Sequence, residues 1–149
     1  MSTIPLRNGQ YTLQAYDVNL AESTFEDVAL IASTLKYTTF ESSNFDLVRF
    51  DGATFSNVGF DATVLDRASF VRARISNARC DHLVMDNVDL TGATLSTISF
   101  KDARLERIDL SGAAISDARY TGATIEGISV ELLLELYRKH MPAAATENA

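Results

Sequence analysis

The sequence predicts an all-β solenoid, a rod of stacked coils that spans residues 18–130. Every fifth residue from Leu20 to Val130 is apolar or aromatic without interruption. Two residues before each of these lies a second, mostly small or β-branched position, from Val18 to Ile128. Neither set contains a charge, although charged residues make up 22% of the chain. Because a helix repeats every ~3.6 residues and a strand every ~2, a period of five indicates a repeat architecture.

Each unit of five can be read as a short side and a corner. Two inward residues flank one outward residue, which is a fragment of strand alternation, and two further outward residues turn the chain. Turn-forming residues recur at the second corner position, as expected where the backbone must bend. They are Asp27, Ser42, Gly52, Asn57, Asn77, Asn87, Gly92, Asp102, Gly112, Asp117, Gly122 and Gly127. Short sides and regular corners therefore stack as a solenoid.

Units such as Asp51-Gly52-Ala53-Thr54-Phe55 and Thr91-Gly92-Ala93-Thr94-Leu95 resemble the A(D/N)Lxx units of the pentapeptide-repeat family. The resemblance implies a right-handed quadrilateral parallel β-helix with four units per coil. Residues 18–130 would then form five to six coils, and at about 4.8 Å per strand layer the rod would be about 27 Å long. The expected organisation is an irregular N-terminal cap at 1–17, the β-helix at 18–130, a helix at 131–141 and a disordered tail at 142–149.

With four units per coil, the rod has four faces, and each inward column repeats every twenty residues. We number the faces by these columns. Face 1 contains Leu20, Phe40, Phe60, Cys80, Phe100 and Tyr120; face 2 contains Phe25, Phe45, Leu65, Met85, Leu105 and Ile125; face 3 contains Leu30, Phe50, Phe70, Leu90, Leu110 and Val130; face 4 contains Leu35, Phe55, Ile75, Leu95 and Ile115. The phenylalanines should stack, and the inward hydroxyls of Ser23, Ser33 and Ser43 should bond to backbone carbonyls.

Both ends of the rod need a cover, because bare solenoid ends present unpaired backbone groups. Ile4, Leu6 and Tyr11 could cover the first coil. At the other end Ser129 can cap a helix that Pro142 ends, and one stripe of that helix suffices to plug the rod. The stripe consists of Val130, Leu133, Leu134, Tyr137 and Met141. The apolar surplus at Leu132, Leu136 and Tyr137 suggests a homodimer contact; the alternative is a helix tucked over the end.

Acidic residues follow two neighbouring faces. The acidic column, which follows face 2, consists of Glu26, Asp46, Asp66, Asp86, Glu106 and Glu126. The corner after face 1 adds Glu22, Glu41, Asp61 and Asp81, whereas face 4 is almost uncharged. Stacked like charges repel, so the column should slightly destabilise the fold unless cations offset it. We interpret these acids as a partner-binding face; the alternative is that they only keep the rod in solution.

Composition excludes several classes of function. The net charge of −7 disfavours direct nucleic-acid binding and favours basic partners or anion mimicry. His82 and His140 have no companions for catalysis, and no metal-ligand spacing or phosphate loop appears, so neither enzyme activity nor a cofactor is expected. Arg67, Arg72, Arg74 and Arg79 should pair with nearby acids rather than form an anion site.

Location and redox state follow from the same composition. The lone Cys80 cannot form an internal disulfide and is expected to be a buried small hydrophobe. No signal peptide is visible, and no apolar run approaches the ~18 residues that a membrane span needs, so a cytoplasmic protein is expected.

The sequence therefore favours a non-catalytic scaffold that binds another protein along one face. The family resemblance implies an alternative, a DNA-mimicking modulator of DNA gyrase, as in the quinolone-resistance members, which dimerise through a C-terminal helix. This chain departs from those members because its rod is shorter and lacks their loop insertions. Regulation of development or signalling through a dedicated partner is compatible with the sequence but not favoured by it.

Overall fold

The computed structural model describes residues 6–140; Ile4, Met141 and residues 142–149, for which expectations were stated above, lie outside this range. Most strands have six residues, and a single helix follows them within the described range. The elements are β1 (Leu6–Gln10), β2 (Gln14–Asn19), β3 (Thr24–Ala29), β4 (Thr34–Thr39), β5 (Asn44–Arg49), β6 (Thr54–Gly59), β7 (Val64–Ser69), β8 (Arg74–Arg79), β9 (Val84–Asp89), β10 (Thr94–Ser99), β11 (Arg104–Asp109), β12 (Ala114–Arg119), β13 (Thr124–Ile125), β14 (Ile128–Ser129) and α1 (Val130–His140).

The strands form two parallel sheets that face each other across the core. The odd-numbered strands run β1-β3-β5-β7-β9-β11-β13 with β14 at the end, and the even-numbered strands run β12-β10-β8-β6-β4-β2. Paired residues are one coil apart, so Phe25 lies beside Phe45 and Leu95 beside Ile115. The predicted parallel β-solenoid of stacked coils is confirmed, with about six coils and a single C-terminal helix.

The N-terminal segment differs from the irregular cap that the sequence predicted. β1 and β2 lie within residues 1–17 and just beyond, and they pair with β3 and β4. β1 is out of step with the rest, because Leu6 lies opposite Phe25, at a separation of 19 residues instead of 20. Since one residue is missing from this coil, the period of five fails here although the strand pairing continues.

Every fifth residue from Asp17 to Gly127 has a positive φ angle, which turns the chain at each corner. Alternate corners differ: Asp27 lies inside β3, whereas Ala32 lies in the two-residue turn between β3 and β4. Each six-residue strand therefore bends around one corner and contributes to two faces. Glycine occupies this position in only a few units, such as Gly52 and Gly92, so most corners hold a side chain in the left-handed region.

Thr97 offers a test of the strain at these corners, because a β-branched residue is disfavoured at its φ of 52°. We expect Thr97→Asn to raise the free energy of unfolding by about 0.5–1 kcal/mol, since asparagine tolerates the left-handed region. Urea denaturation followed by circular dichroism would measure the change. Thr94→Asn is the matched control, because Thr94 is equally exposed but lies in regular strand. Equal effects of the two substitutions would contradict the strain argument.

The core is a column of aromatic and aliphatic side chains along the rod axis. Phe25 stacks on Phe45 with ring centroids 4.6 Å apart, Phe40 on Phe60 at 5.2 Å and Phe50 on Phe70 at 5.0 Å. The expected aromatic stacks are therefore confirmed. Each stack joins the same face of successive coils, so burial of one coil depends on its neighbours.

Buried hydroxyls find partners in the backbone of the previous coil. Ser43 Oγ donates to the Leu20 carbonyl at 2.9 Å and accepts from the Ser23 amide at 3.0 Å. Thr63 Oγ1 donates to the Phe40 carbonyl at 2.8 Å. Ser33 Oγ instead accepts from the Leu13 amide at 2.8 Å, where a bond to a carbonyl was expected. These bonds link adjacent coils and remove the cost of burying the hydroxyls.

The C-terminal end is only partly covered. β14 turns back antiparallel on β13, and the Leu132 amide donates to Ser129 Oγ at 3.3 Å, as expected for a helix cap. Val130 is buried and Leu134 packs against the core. Leu133 and Tyr137, which were expected to plug the rod, are 40% and 49% exposed. The helix therefore contacts the rod through a narrower stripe than its sequence pattern indicated.

Candidate functional site

The acidic column lies along the outside of the β3-β5-β7-β9-β11 ladder. Its members are direct neighbours: Glu26 pairs with Asp46, Asp46 with Asp66, Asp66 with Asp86, and Asp86 with Glu106. Adjacent strands in a sheet are about 4.8 Å apart, so the carboxylates repeat at roughly that spacing along the rod. The strands bring together five of the six predicted residues as one straight row, and Glu126 follows just after β13.

Arginines from the following coil offset part of this charge. Arg67 binds Asp46 through two bonds, Nε–Oδ1 at 2.9 Å and Nη2–Oδ2 at 2.6 Å, and Arg107 Nη2 lies 2.5 Å from Asp86 Oδ2. The hydrogen bonds that Arg67 donates to Asp46, supported by the Coulomb attraction, raise the pKa of Arg67 above its ordinary value. Because these pairs are exposed to solvent, they add little to stability, but they interrupt the negative charge of the column.

The remaining column members differ in their surroundings. Arg104 Nη2 lies 3.0 Å from Glu106 Oε1, and Glu126 Oε1 accepts a bond from the Arg107 amide. Asp66 has no ion pair within residues 6–140. The least compensated carboxylate of the strand-borne column is thus at its centre, between the two arginine-paired aspartates.

The second predicted acidic group lies at the corner after face 1, where one carboxylate accepts a hydrogen bond from a backbone amide of the next coil. Asp61 pairs with Arg79, and its Oδ1 accepts from the Asp81 amide at 3.2 Å. Asp81 Oδ1 in turn accepts from Ser99 Oγ at 2.5 Å. Glu22 and Glu41 are exposed and make no ion pair in the described range. Asp61 and Asp81 therefore also stabilise the corner, whereas Glu22 and Glu41 remain open to solvent.

Two of the four arginines singled out in the sequence pair as expected. Arg67 binds Asp46 and Arg79 binds Asp61, while Arg72 and Arg74 make no ion pair within residues 6–140. Arg107, which sequence reasoning missed, repeats the Arg67 arrangement. The sequence spacing could have identified this pair, because in both pairs the arginine follows its aspartate by 21 residues, which is one coil of twenty residues plus one.

Cys80 lies in the core with 2% of its surface exposed, which confirms the expected buried position. Burial raises the pKa of its thiol well above the ordinary range, with smaller contributions from Asp61 and Asp81. Because the thiolate is the reactive form, we expect no modification of the native protein by a thiol-specific disulfide reagent at pH 8 over an hour. The same protein in denaturant should react fully within minutes, and rapid labelling of the folded chain would contradict the buried position.

The histidine, cysteine and acidic side chains of residues 6–140 are the groups that could hold a metal ion. No group of three His, Cys, Asp or Glu side chains in this range is placed to hold a metal ion. His82 Nδ1 lies 3.9 Å from Asp102 Oδ2 at an exposed corner. Within the same residues no helical segment has both the length and the apolar character that crossing a membrane requires.

Comparison with known proteins bears on the family. A sequence model of pentapeptide repeats matches eight copies, in overlapping stretches at residues 43–79, 55–92 and 68–107. No curated protein sequence matches the chain.

Solved structures similar to this chain have low sequence identity. The pentapeptide-repeat protein Rfr23 from the cyanobacterium Cyanothece 51142 is 12% identical, with a TM-score of 0.46 over 83% of this chain and 90% of that chain. QnrB1, a plasmid-mediated fluoroquinolone resistance protein, is 12% identical, with a TM-score of 0.37 over 95% and 98%. HetL from the cyanobacterium Nostoc sp., which is involved in heterocyst differentiation regulation, is 15% identical, with a TM-score of 0.25 over 83% and 87%.

The family assignment rests on the repeat itself. The period of five is unbroken and every unit from Asp17 to Gly127 has a left-handed corner. The repeat model matches within this region, at residues 43–107. This chain therefore belongs to the pentapeptide-repeat family.

Proposed function

We propose that this protein is a non-catalytic interaction scaffold that binds a basic surface of another protein through its acidic column. The observation that carries the proposal is the straight row from Glu26 to Glu106 on one rigid ladder. Such a row matches cations on a partner at a regular spacing, and its charge steers their approach. Proteins of this family are generally interaction proteins rather than enzymes, which supports the same assignment.

The test compares proteins retained from a cell lysate by the parent chain and by the variant Asp46→Asn/Asp66→Asn/Asp86→Asn. We expect one or more partners to bind the parent at low salt, to leave as salt is raised, and to be absent from the variant. The control is Asp27→Asn, a corner residue outside the column. If the parent and the triple variant retain the same proteins, the acidic column is not the binding face.

A DNA-mimicking modulator of DNA gyrase is the second candidate. Its support is the repeat of carboxylates every ~4.8 Å along the rod, which resembles a row of phosphates at about 3.4 Å per strand. Arg67 and Arg107 weaken this resemblance, because they pair with Asp46 and Asp86. Asp66, between them, would contribute most to a mimic.

Gyrase supercoiling with added protein tests this candidate, with and without a fluoroquinolone. We expect inhibition or drug protection by the parent chain, and a loss of about tenfold in potency for Asp66→Asn, since a charge-assisted contact is worth about 1.5–3 kcal/mol. Asp27→Asn should match the parent. No effect of the parent protein at high micromolar concentration would exclude gyrase and leave the scaffold proposal standing.

We also propose that a second copy of this chain covers the C-terminal end. Leu132, Leu136 and Tyr137 are 47%, 43% and 49% exposed on α1, and no described residue covers them. The last coil beside the helix is open too, because Leu110, Ile115 and Tyr120 are only partly buried. β12 is the last strand of its sheet in the described range, so its outer edge is free to pair. A symmetric contact would cover apolar helix, core end and strand edge together.

A further inference from the structure

A trough of about 510 Å³ runs along the outside of face 1, across four coils of the N-terminal half. Its floor contains Asn19, Thr39 and Gly59, and Arg79 closes one end. Tyr37 and Glu41 line opposite sides. Four layers at about 4.8 Å accommodate an extended peptide of about four residues. The trough is therefore long enough for a short segment of another chain but too shallow to enclose a small molecule.

The closed end of the trough shows how an arginine fits this surface. Arg79 rises from the floor and pairs with Asp61, which precedes it by 18 residues at the corner of the coil before. The same step of 18 residues joins Asp51 to Ser69 and Asp81 to Ser99. An acid at the first corner position after face 1 or face 3 is thus repeatedly bound by the outward residue that lies 18 positions later.

Glu41 is the exception to this arrangement. It occupies the corner position equivalent to Asp61, and the residue 18 positions later is Gly59, which has no side chain. Glu41 is exposed and forms no ion pair in the described range. The place that a guanidinium occupies beside Asp61 is consequently empty beside Glu41.

Tyr37 adds an aromatic wall to this empty place. Its side chain is 57% exposed and lines the trough, so it contributes little to the core. Lys36 Nζ lies 5.3 Å from the ring centroid, which shows that the ring accepts a cation, and Lys36 itself does not line the trough. Arginine stacks on aromatic rings and binds carboxylates through two parallel bonds, so it suits this pair of groups better than lysine.

We propose that the face 1 trough binds an arginine side chain from an extended segment of a partner protein, with Glu41 holding the guanidinium in the space above Gly59. The inference rests on the proposed scaffold function, but it uses a different face from the acidic column. A neighbouring exposed carboxylate, Asp17, lines the same trough and favours a second cation along the segment.

Fluorescence anisotropy with a labelled seven-residue peptide of alternating threonine and arginine tests this proposal. In low salt we expect saturable binding, and at least about tenfold weaker binding of the same peptide with citrulline in place of arginine, which keeps the shape but removes the charge. Equal binding of the two peptides would overturn the proposal.

Two variants locate the site on the parent chain. Gly59→Arg should supply the missing guanidinium within the chain and weaken peptide binding at least about tenfold, and Glu41→Gln should do the same by removing the acceptor. Gly59→Arg is expected to fold, because Arg79 and Arg119 occupy the equivalent position in later coils and only Thr39 Oγ1, 3.2 Å from the new Cβ, must yield. Circular dichroism melting checks this, and Glu41→Gln tests the site independently.

Asp66→Asn separates this proposal from the acidic column. It should leave peptide binding unchanged, because Asp66 lies on another face. Peptide binding that depends on Asp66 but not on Glu41 would overturn the trough while supporting the column. Peptide binding that is weakened by Glu41→Gln and by Gly59→Arg would support the trough, even if the partner captured from lysate binds the parent and the triple Asp→Asn variant equally.

Discussion

Replacing Phe50 with alanine is expected to lower the free energy of unfolding by about 3–5 kcal/mol. Phe50 is fully buried, and its ring centroid lies 5.6 Å from Phe45, 5.2 Å from Phe55 and 5.0 Å from Phe70. The substitution leaves a cavity inside one coil, next to Phe70 of the following coil, and removes aromatic contacts worth about 0.5–1.5 kcal/mol per pair. Because each coil is stabilised by its neighbours, the damage cannot be confined to one layer.

Urea denaturation of Phe50→Ala, Phe100→Ala and Leu47→Ala measures this effect. Phe100 is equally buried but has one aromatic neighbour, Tyr120, at 6.1 Å, so its removal should cost less than that of Phe50. Leu47 is 46% exposed and should change stability by less than about 0.5 kcal/mol. A cost for Phe50→Ala no greater than that for Leu47→Ala would contradict the described core.

The double variant Leu132→Glu/Leu136→Glu is expected to convert a dimer into a monomer. The parent should sediment at twice the chain mass of 16.3 kDa, and the variant at the chain mass itself. The reason is that two carboxylates would enter an interface whose centre is apolar, where unpaired charges are costly. Both leucines are exposed in the single chain, so the fold itself should survive.

Analytical ultracentrifugation at several concentrations gives the mass, and circular dichroism confirms the fold. Lys139→Glu is the matched control, because it adds negative charge to the same helix on an exposed polar residue and should stay dimeric. A parent chain that sediments as a monomer at tens of micromolar would exclude the second copy. The exposed helix face would then have to be covered by some other partner.

The pattern of inward residues predicted the solenoid because the fold buries these positions and therefore accepts only uncharged, mostly apolar side chains there. A charge at any fifth position would be buried among rings such as Phe45 and Phe50, so the period is strictly enforced. The pattern failed at β1 because one residue is missing before β2, which shifts Leu6 out of the count while the hydrogen-bonded ladder continues. Strand pairing tolerates this change, whereas a fixed-period count does not.

The outward residues were harder to interpret, since the fold constrains them weakly. The row from Glu26 to Glu106 followed from the period alone. The neutralisation of its charge by Arg67 and Arg107 did not, because it depends on the direction in which these long side chains extend toward the previous coil. The helix posed a similar limit. Its apolar arc showed that Leu133 could face the rod, but how far a helix tilts against the last coil depends on packing that a single-helix pattern does not contain.

The register of this rod has a consequence for how its length can change in evolution. Facing residues such as Asp46 and Asp66 are aligned only because a full circuit takes twenty residues. Loss or duplication of a whole circuit would shorten or lengthen the row of carboxylates and leave every surface facing the same way. Loss of a single unit of five would keep the interior intact but rotate everything beyond it by a quarter turn, so the row would continue on another side. Loss of a whole circuit and loss of one unit are therefore both compatible with the fold, but only loss of a whole circuit keeps the binding surface on one side of the rod.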